Sequence, residues 1–224
     1  MSIPLKKYEL HLGAAYFLVE FLVLPQVLTL LNSLLQMQAW LLNFIAFAAN
    51  FVCLVAIFHK FLWSSLLQYT QRPWKTLLIA SLGLMLYYVS SLMVQILIIS
   101  GFPNYVNLND SSVTGFVVQG GMLFSLATVL LVPVAEELLF RGVLFRGLYD
   151  RSPILAWCVS TLAFSAVHVV GYLGKYSFPM LLIALVQYLP AGLCLNFAYH
   201  KSDTIIAPIL MHIFINAIAL GMIS

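Results

Sequence analysis

Charge is what this chain has least of. Asp, Glu, Lys and Arg make up 8% of its 224 residues, against roughly 25% in an ordinary soluble domain. Because 63% of the residues are hydrophobic, no soluble globule of this length could enclose them, and a soluble fold is excluded. Cysteine is also sparse: Cys53, Cys158 and Cys194 lie far apart inside apolar stretches with no CxxC pair, so neither a disulfide framework nor a thiolate zinc site is supported. The chain has no HExxH helix, no Gly-rich phosphate loop and no basic run suited to nucleic acid, so a nucleic-acid partner is not expected. Internal repeats and the inverted halves that mark many transporters are missing too.

What is present is hydrophobic length. Apolar blocks of about 18 to 25 residues recur along the chain, enough to cross a hydrocarbon core of ~30 Å. They predict an all-α, polytopic helical bundle of about seven spans in one membrane domain, with lipid as its constant partner. The spans are Leu10–Leu31, Ala39–Phe58, Thr76–Ser100, a long fourth one from Phe116 to Asp150, Pro153–Val170, Pro179–Tyr199 and Thr204–Ile223. The first follows Lys6 and Lys7 but is too long for a signal-peptide core, and is expected to be retained. At about 50 Å the fourth would exceed the bilayer, and Pro133 is expected to kink it. Residues 59–75 carry Trp63, Tyr69 and Trp74 among Lys60, Arg72 and Lys75, the pattern of an interfacial segment. Gly101–Gly115 is polar and reads as an external loop.

The placement of the positive residues gives an orientation. With a cytoplasmic N-terminus, segments 1–9, 59–75, 141–152 and 200–203 face inward and hold nine of the ten Lys and Arg residues, leaving Lys175 outside. This bias is expected of a multi-pass protein of the cell membrane.

Ionisable side chains at membrane depth are costly and need a partner or a task. Three clusters stand out, all in the second half. Glu136-Glu137-Leu138-Leu139-Phe140-Arg141 lies within the fourth span. There, i,i+4 spacing lets Glu137 pair with Arg141, while Glu136 is rotated about 100° away and remains the candidate general base. Phe164 and His168 lie at i,i+4 on the fifth span, and His212 and Asn216 do so on the seventh. Glu136, His168 and His212 are expected to meet in a polar cavity opening toward the positively charged side. Glu20 and Asn50, in the first two spans, are expected to be interhelical hydrogen-bond partners.

EExxxR, FxxxH and HxxxN, in this order on successive hydrophobic segments, resemble the three motifs of the CAAX-protease and bacteriocin-processing (CPBP, or Abi) intramembrane endopeptidases. The resemblance spans about residues 116–224, which would form the catalytic core; residues 1–115 would add the N-terminal helices. It implies hydrolysis of a peptide bond in a membrane-associated, prenylated or precursor peptide. Glu136, assisted by His168, would activate water; His212 and Asn216 would hold the oxyanion; Glu137, Arg141 and Phe164 would support the site. A glutamate mechanism without metal is favoured. The alternative is a zinc site built from Glu136, His168 and His212. A non-catalytic reading also stands: a bacteriocin-immunity or regulatory protein that binds a peptide or another membrane protein through the same cluster.

Overall fold

The computed structural model describes Ile3 and residues 5–221, so Ile223, the expected end of the last span, lies outside it. Among the described residues there are eight helices and no strand: α1 Lys7–Leu35, α2 Ala39–Ile57, α3 His59–Gln71, α4 Pro73–Gly101, α5 Leu108–Tyr149, α6 Pro153–Val170, α7 Phe178–Ser202 and α8 Ile206–Gly221. Six are long and apolar enough to cross a membrane, and α8 is a shorter apolar helix. The chain is therefore a polytopic helical bundle. Many of its large apolar side chains, among them Leu97, Val118 and Phe178, are exposed; these are surfaces for lipid rather than for water.

Two expectations from sequence need correction. The segment Gly101–Gly115 is not one loop, because α5 begins at Leu108, where the Asn107 side chain accepts from the backbone N–H groups of Asn109 and Asp110. That cap satisfies donors that a helix start would leave open, and it outweighs the polar composition. Nor is the kink or break expected at Pro133 the main irregularity, since α5 continues through it. Residues Ala127–Leu131 wind into a π turn, in which Val132 N–H donates to Ala127 O, so the missing proline N–H falls on the next bond of that register. The sharper departure from helical geometry lies at Gly121, whose φ of 56° needs a residue without Cβ. Helix α1 repeats the device, with a π turn over Val19–Val23 ahead of Pro25.

The helix α7 packs between α6 and α4, while α8 lies against α4, α5 and α7. Small residues permit the close approaches. A Cβ on Gly192 of α7 would sit 3.0–3.1 Å from Thr161 of α6, including its backbone, and one on Gly83 of α4 would reach Met211 of α8 at 2.8 Å. Such contacts replace the hydrophobic driving force that helices lose once lipid surrounds them. Ile3 and residues 5–10, 58–72, 146–152 and 200–205 gather at one end of the bundle. Thr204 Oγ1 donates to Ser65 O, Arg146 Nε donates to Ile3 O, and Phe61 N–H donates to the buried Glu9 carboxylate. The opposite end is made by residues 102–112 and 171–177, tied by Tyr172 to Leu108 O and Ser112 and by Tyr176 to Val106 O.

Candidate active site

The Glu137–Arg141 pair forms as its spacing predicts: Arg141 Nη1 lies 3.0 Å from Glu137 Oε1, and both side chains are 0% exposed. Burial obliges the guanidinium to find further acceptors. Its Nε donates to Asn196 Oδ1 at 3.1 Å, its Nη2 to Gly192 O at 3.1 Å, and its plane lies over the Phe164 ring, 4.6 Å from the centroid. Asn196 is itself fully buried, donating to Thr161 Oγ1 at 3.0 Å and accepting from Ser160 Oγ. Neither Asn196 nor Gly192 stood out in the sequence. A lone Asn in the apolar run Leu193–Phe197 was the available signal, since an intramembrane amide needs partners.

Glu136 and Glu137 differ sharply. Both Arg141 and His212 use Glu137: His212 Nδ1–H donates to the same Oε1 at 2.8 Å. With that proton committed, His212 offers Nε2, which lies 3.9 Å from Glu136 Oε2. Glu136 Oε2 is buried without a hydrogen-bond partner, although the side chain as a whole is 20% exposed. His168 Nδ1–H donates to Phe164 O at 2.8 Å, leaving Nε2 available to water or substrate. The imidazole is flanked by Phe164 and by Tyr188, which stacks on it at 4.4 Å. Tyr188 is fixed in turn: its hydroxyl donates to Asp110 Oδ1 and accepts from Asn107 Nδ2. Asn216 Nδ2 donates to Thr128 O at 2.9 Å, the carbonyl whose π-register donor would have been Pro133. One amide hydrogen of Asn216 thus holds α8 to α5, and the other remains.

Glu136, His168, His212 and Asn216 all line one cavity of about 400 Å³. It runs from the buried His212 to Asn109, the exposed Asp110 and Tyr172. Its mouth is therefore at the end of the bundle formed by residues 102–112 and 171–177, not at the positively charged end expected from the sequence. The reason is depth: α6 is 18 residues long, and His168 lies near its far end, lining the same cavity as Glu136. The zinc alternative lacks an assembled ligand set: among the described residues no three His, Cys, Asp or Glu side chains gather as one. The bond of His212 Nδ1 to Glu137 does not itself decide against a metal, since it orients Nε2 toward the cavity.

Residues 118–218 match the family model for type II CAAX prenyl endopeptidases, Rce1-like. This region belongs to the CAAX-protease (CPBP) family. The matched segment carries all three motifs and every residue around the Arg141 network. Comparisons with curated proteins and with solved structures gave no match. At the family level the match supports an intramembrane protease of CAAX type.

Proposed function

We propose that the chain is an intramembrane endopeptidase in which Glu136 activates a water for attack on a peptide bond of a membrane-associated or prenylated peptide. The observation that carries this reading is the shared cavity: a carboxylate whose Oε2 has no hydrogen-bond partner, two imidazoles each with Nδ1 already committed, and an amide, all within a membrane-spanning bundle. Glu136, with His168 Nε2 holding the water, takes a proton as the water oxygen bonds to the carbonyl carbon. The oxyanion that forms is met by the remaining Asn216 N–H and by His212 Nε2 when that ring is protonated. Collapse breaks the C–N bond, and the proton on Glu136 passes to the leaving amine. Glu137 and Arg141 hold His212 and the helix in place.

Positive residues on the cytoplasmic side of a cell membrane would put the N-terminus inside and the cavity mouth outside, so the substrate would be presented from the non-cytoplasmic face. A membrane-impermeant maleimide should then label Lys175→Cys, in the exposed 171–177 turn, on intact cells; labelling only after lysis would reverse the orientation.

The activity test uses wild-type and Glu136→Gln protein in lipid nanodiscs, a farnesylated CAAX peptide and the same peptide without its farnesyl group. Products are read by mass spectrometry and bound metal by elemental analysis. Cleavage by wild type that falls by ~10² to 10⁴ in Glu136→Gln is expected for loss of a general base. Equal turnover by the two proteins would remove Glu136 from that role. No cleavage of any peptide, with cellular function surviving Glu136→Gln, would favour the binding or immunity reading.

A further inference from the structure

The half of the chain outside the family match brings a third carboxylate to the site. Glu20 lies in the π turn of α1, and such turns are frequent at functional positions. Its Oε1 accepts from Asn50 Nδ2 at 2.9 Å, and Asn50 Oδ1 accepts from Tyr16 O–H at 2.6 Å, so the side chain is aimed by a chain of bonds from α1 and α2. Its other oxygen, Oε2, is buried without a hydrogen-bond partner, as is Oε2 of Glu136. The two residues line a second pocket, of about 50 Å³, together with Phe47, Asn50, Val132 and Ala135. Glu136 lines both this pocket and the main cavity.

Two buried acceptors facing one small pocket make an incomplete hydrogen-bond set. Buried polar groups are almost always satisfied, yet neither Oε2 has a partner: Asn50 Nδ2 bonds Oε1 of Glu20, and Phe47, Val132 and Ala135 carry no side-chain donor. The two carboxylates do not hydrogen-bond each other directly. A water has two O–H donors and needs roughly 10–15 Å³ of centre space, which this pocket exceeds. We infer that Glu20 positions Glu136 through a water held between them, which donates one O–H to each carboxylate. Anchoring one oxygen of Glu136 in this way leaves the other for the water that attacks substrate. Glu20 is thus a positioning residue, supplied by the region that the family match does not cover. This inference rests on the hydrolytic role proposed for Glu136.

The test has a structural arm, independent of any substrate, and a kinetic one. A structure of the full chain in nanodiscs, at a resolution that shows waters, should place one between Glu20 and Glu136 and show a changed Glu136 rotamer in Glu20→Leu. With the peptide cleaved in the activity test, Glu20→Leu should lower kcat by about 10- to 100-fold, the size expected when a reacting group is displaced by ~1 Å, at unchanged KM. Glu20→Gln keeps a polar head for Asn50 and for the water, and should restore most of kcat. Tyr16→Phe removes the outermost bond alone and should leave kcat near wild type. No water in the wild-type pocket would overturn the inference. So would a folded Glu20→Leu protein with wild-type kcat, or a loss that Glu20→Gln does not restore. If Glu20→Leu does not fold, the wild-type water and the Glu20→Gln kcat decide. If no peptide is cleaved, the proteolytic reading fails, while the structural arm still settles the water.

Discussion

Glu136 and Glu137 are neighbours on α5, yet they enter two different regions of the molecule. On the Glu137 side everything is closed: carboxylate, guanidinium, amide and backbone carbonyl are locked together by Arg141, Asn196 and Gly192 with no exposed surface on the ion pair. On the Glu136 side a cavity of about 400 Å³ reaches the bundle end, and the side chain is 20% exposed. A buried ion pair in which all three guanidinium nitrogens are bonded is held rigidly, because each group would be left uncompensated if it moved. A carboxylate that lines an open cavity can be reached by water and substrate. On the proposed reading the EE pair divides its labour, one residue holding the scaffold and the other facing chemistry.

The closed region can be broken most severely at its centre. Arg141→Ala would leave Glu137 buried with only His212 beside it, at a cost of roughly 3 to 5 kcal/mol; a thermal unfolding series in detergent should show it as a large drop or as loss of folded protein. Gly192→Ala would push a Cβ to 3.0–3.1 Å from Thr161, where backbone atoms cannot swing aside. Overpacking of this kind costs about 1 to 3 kcal/mol, and the same unfolding series would read it.

The boundary between the two regions offers a smaller perturbation. Asn216→Leu removes the donor to Thr128 O and leaves that carbonyl unsatisfied, worth about 1 to 3 kcal/mol. Because Asn216 also lines the cavity, turnover should fall along with stability, whereas Gly192→Ala should reduce stability first. Smallest of all should be the stability change in Tyr16→Phe, which gives up one partly buried hydrogen bond of net worth about 0.5 to 1.5 kcal/mol.

Much of this was legible in the sequence because it is local or repetitive. Hydrophobic length gave the spans, and the i,i+4 spacing of Glu137 and Arg141 gave their bond, since a helix alone brings those side chains together. The pairing of Glu20 with Asn50 follows from the cost of polar groups among lipid. What the sequence did not reveal depends on how helices approach one another. Asn196 and Gly192 matter because α7 lies close against α6. His212 bonds Glu137 rather than Glu136 through the rotation of α8 against α5. The start of α5 at Leu108 was hidden because a good N-cap and a polar loop have the same composition. The side on which the cavity opens was hidden because hydrophobic length does not say which end of the bundle the helices leave open around His168.

The most direct test sets Glu136→Gln beside Glu137→Gln in one preparation, measuring both thermal midpoint and cleavage of the peptide that wild type processes. The division of labour predicts a crossed result. Glu136→Gln should keep the wild-type midpoint and lose turnover by ~10² to 10⁴. Glu137→Gln should lower the midpoint sharply, because Arg141 would be buried without a counter-charge. If Glu136→Gln were the destabilised protein, or if it cleaved as fast as wild type while Glu137→Gln stayed folded and inactive, the roles assigned to the two glutamates would be wrong.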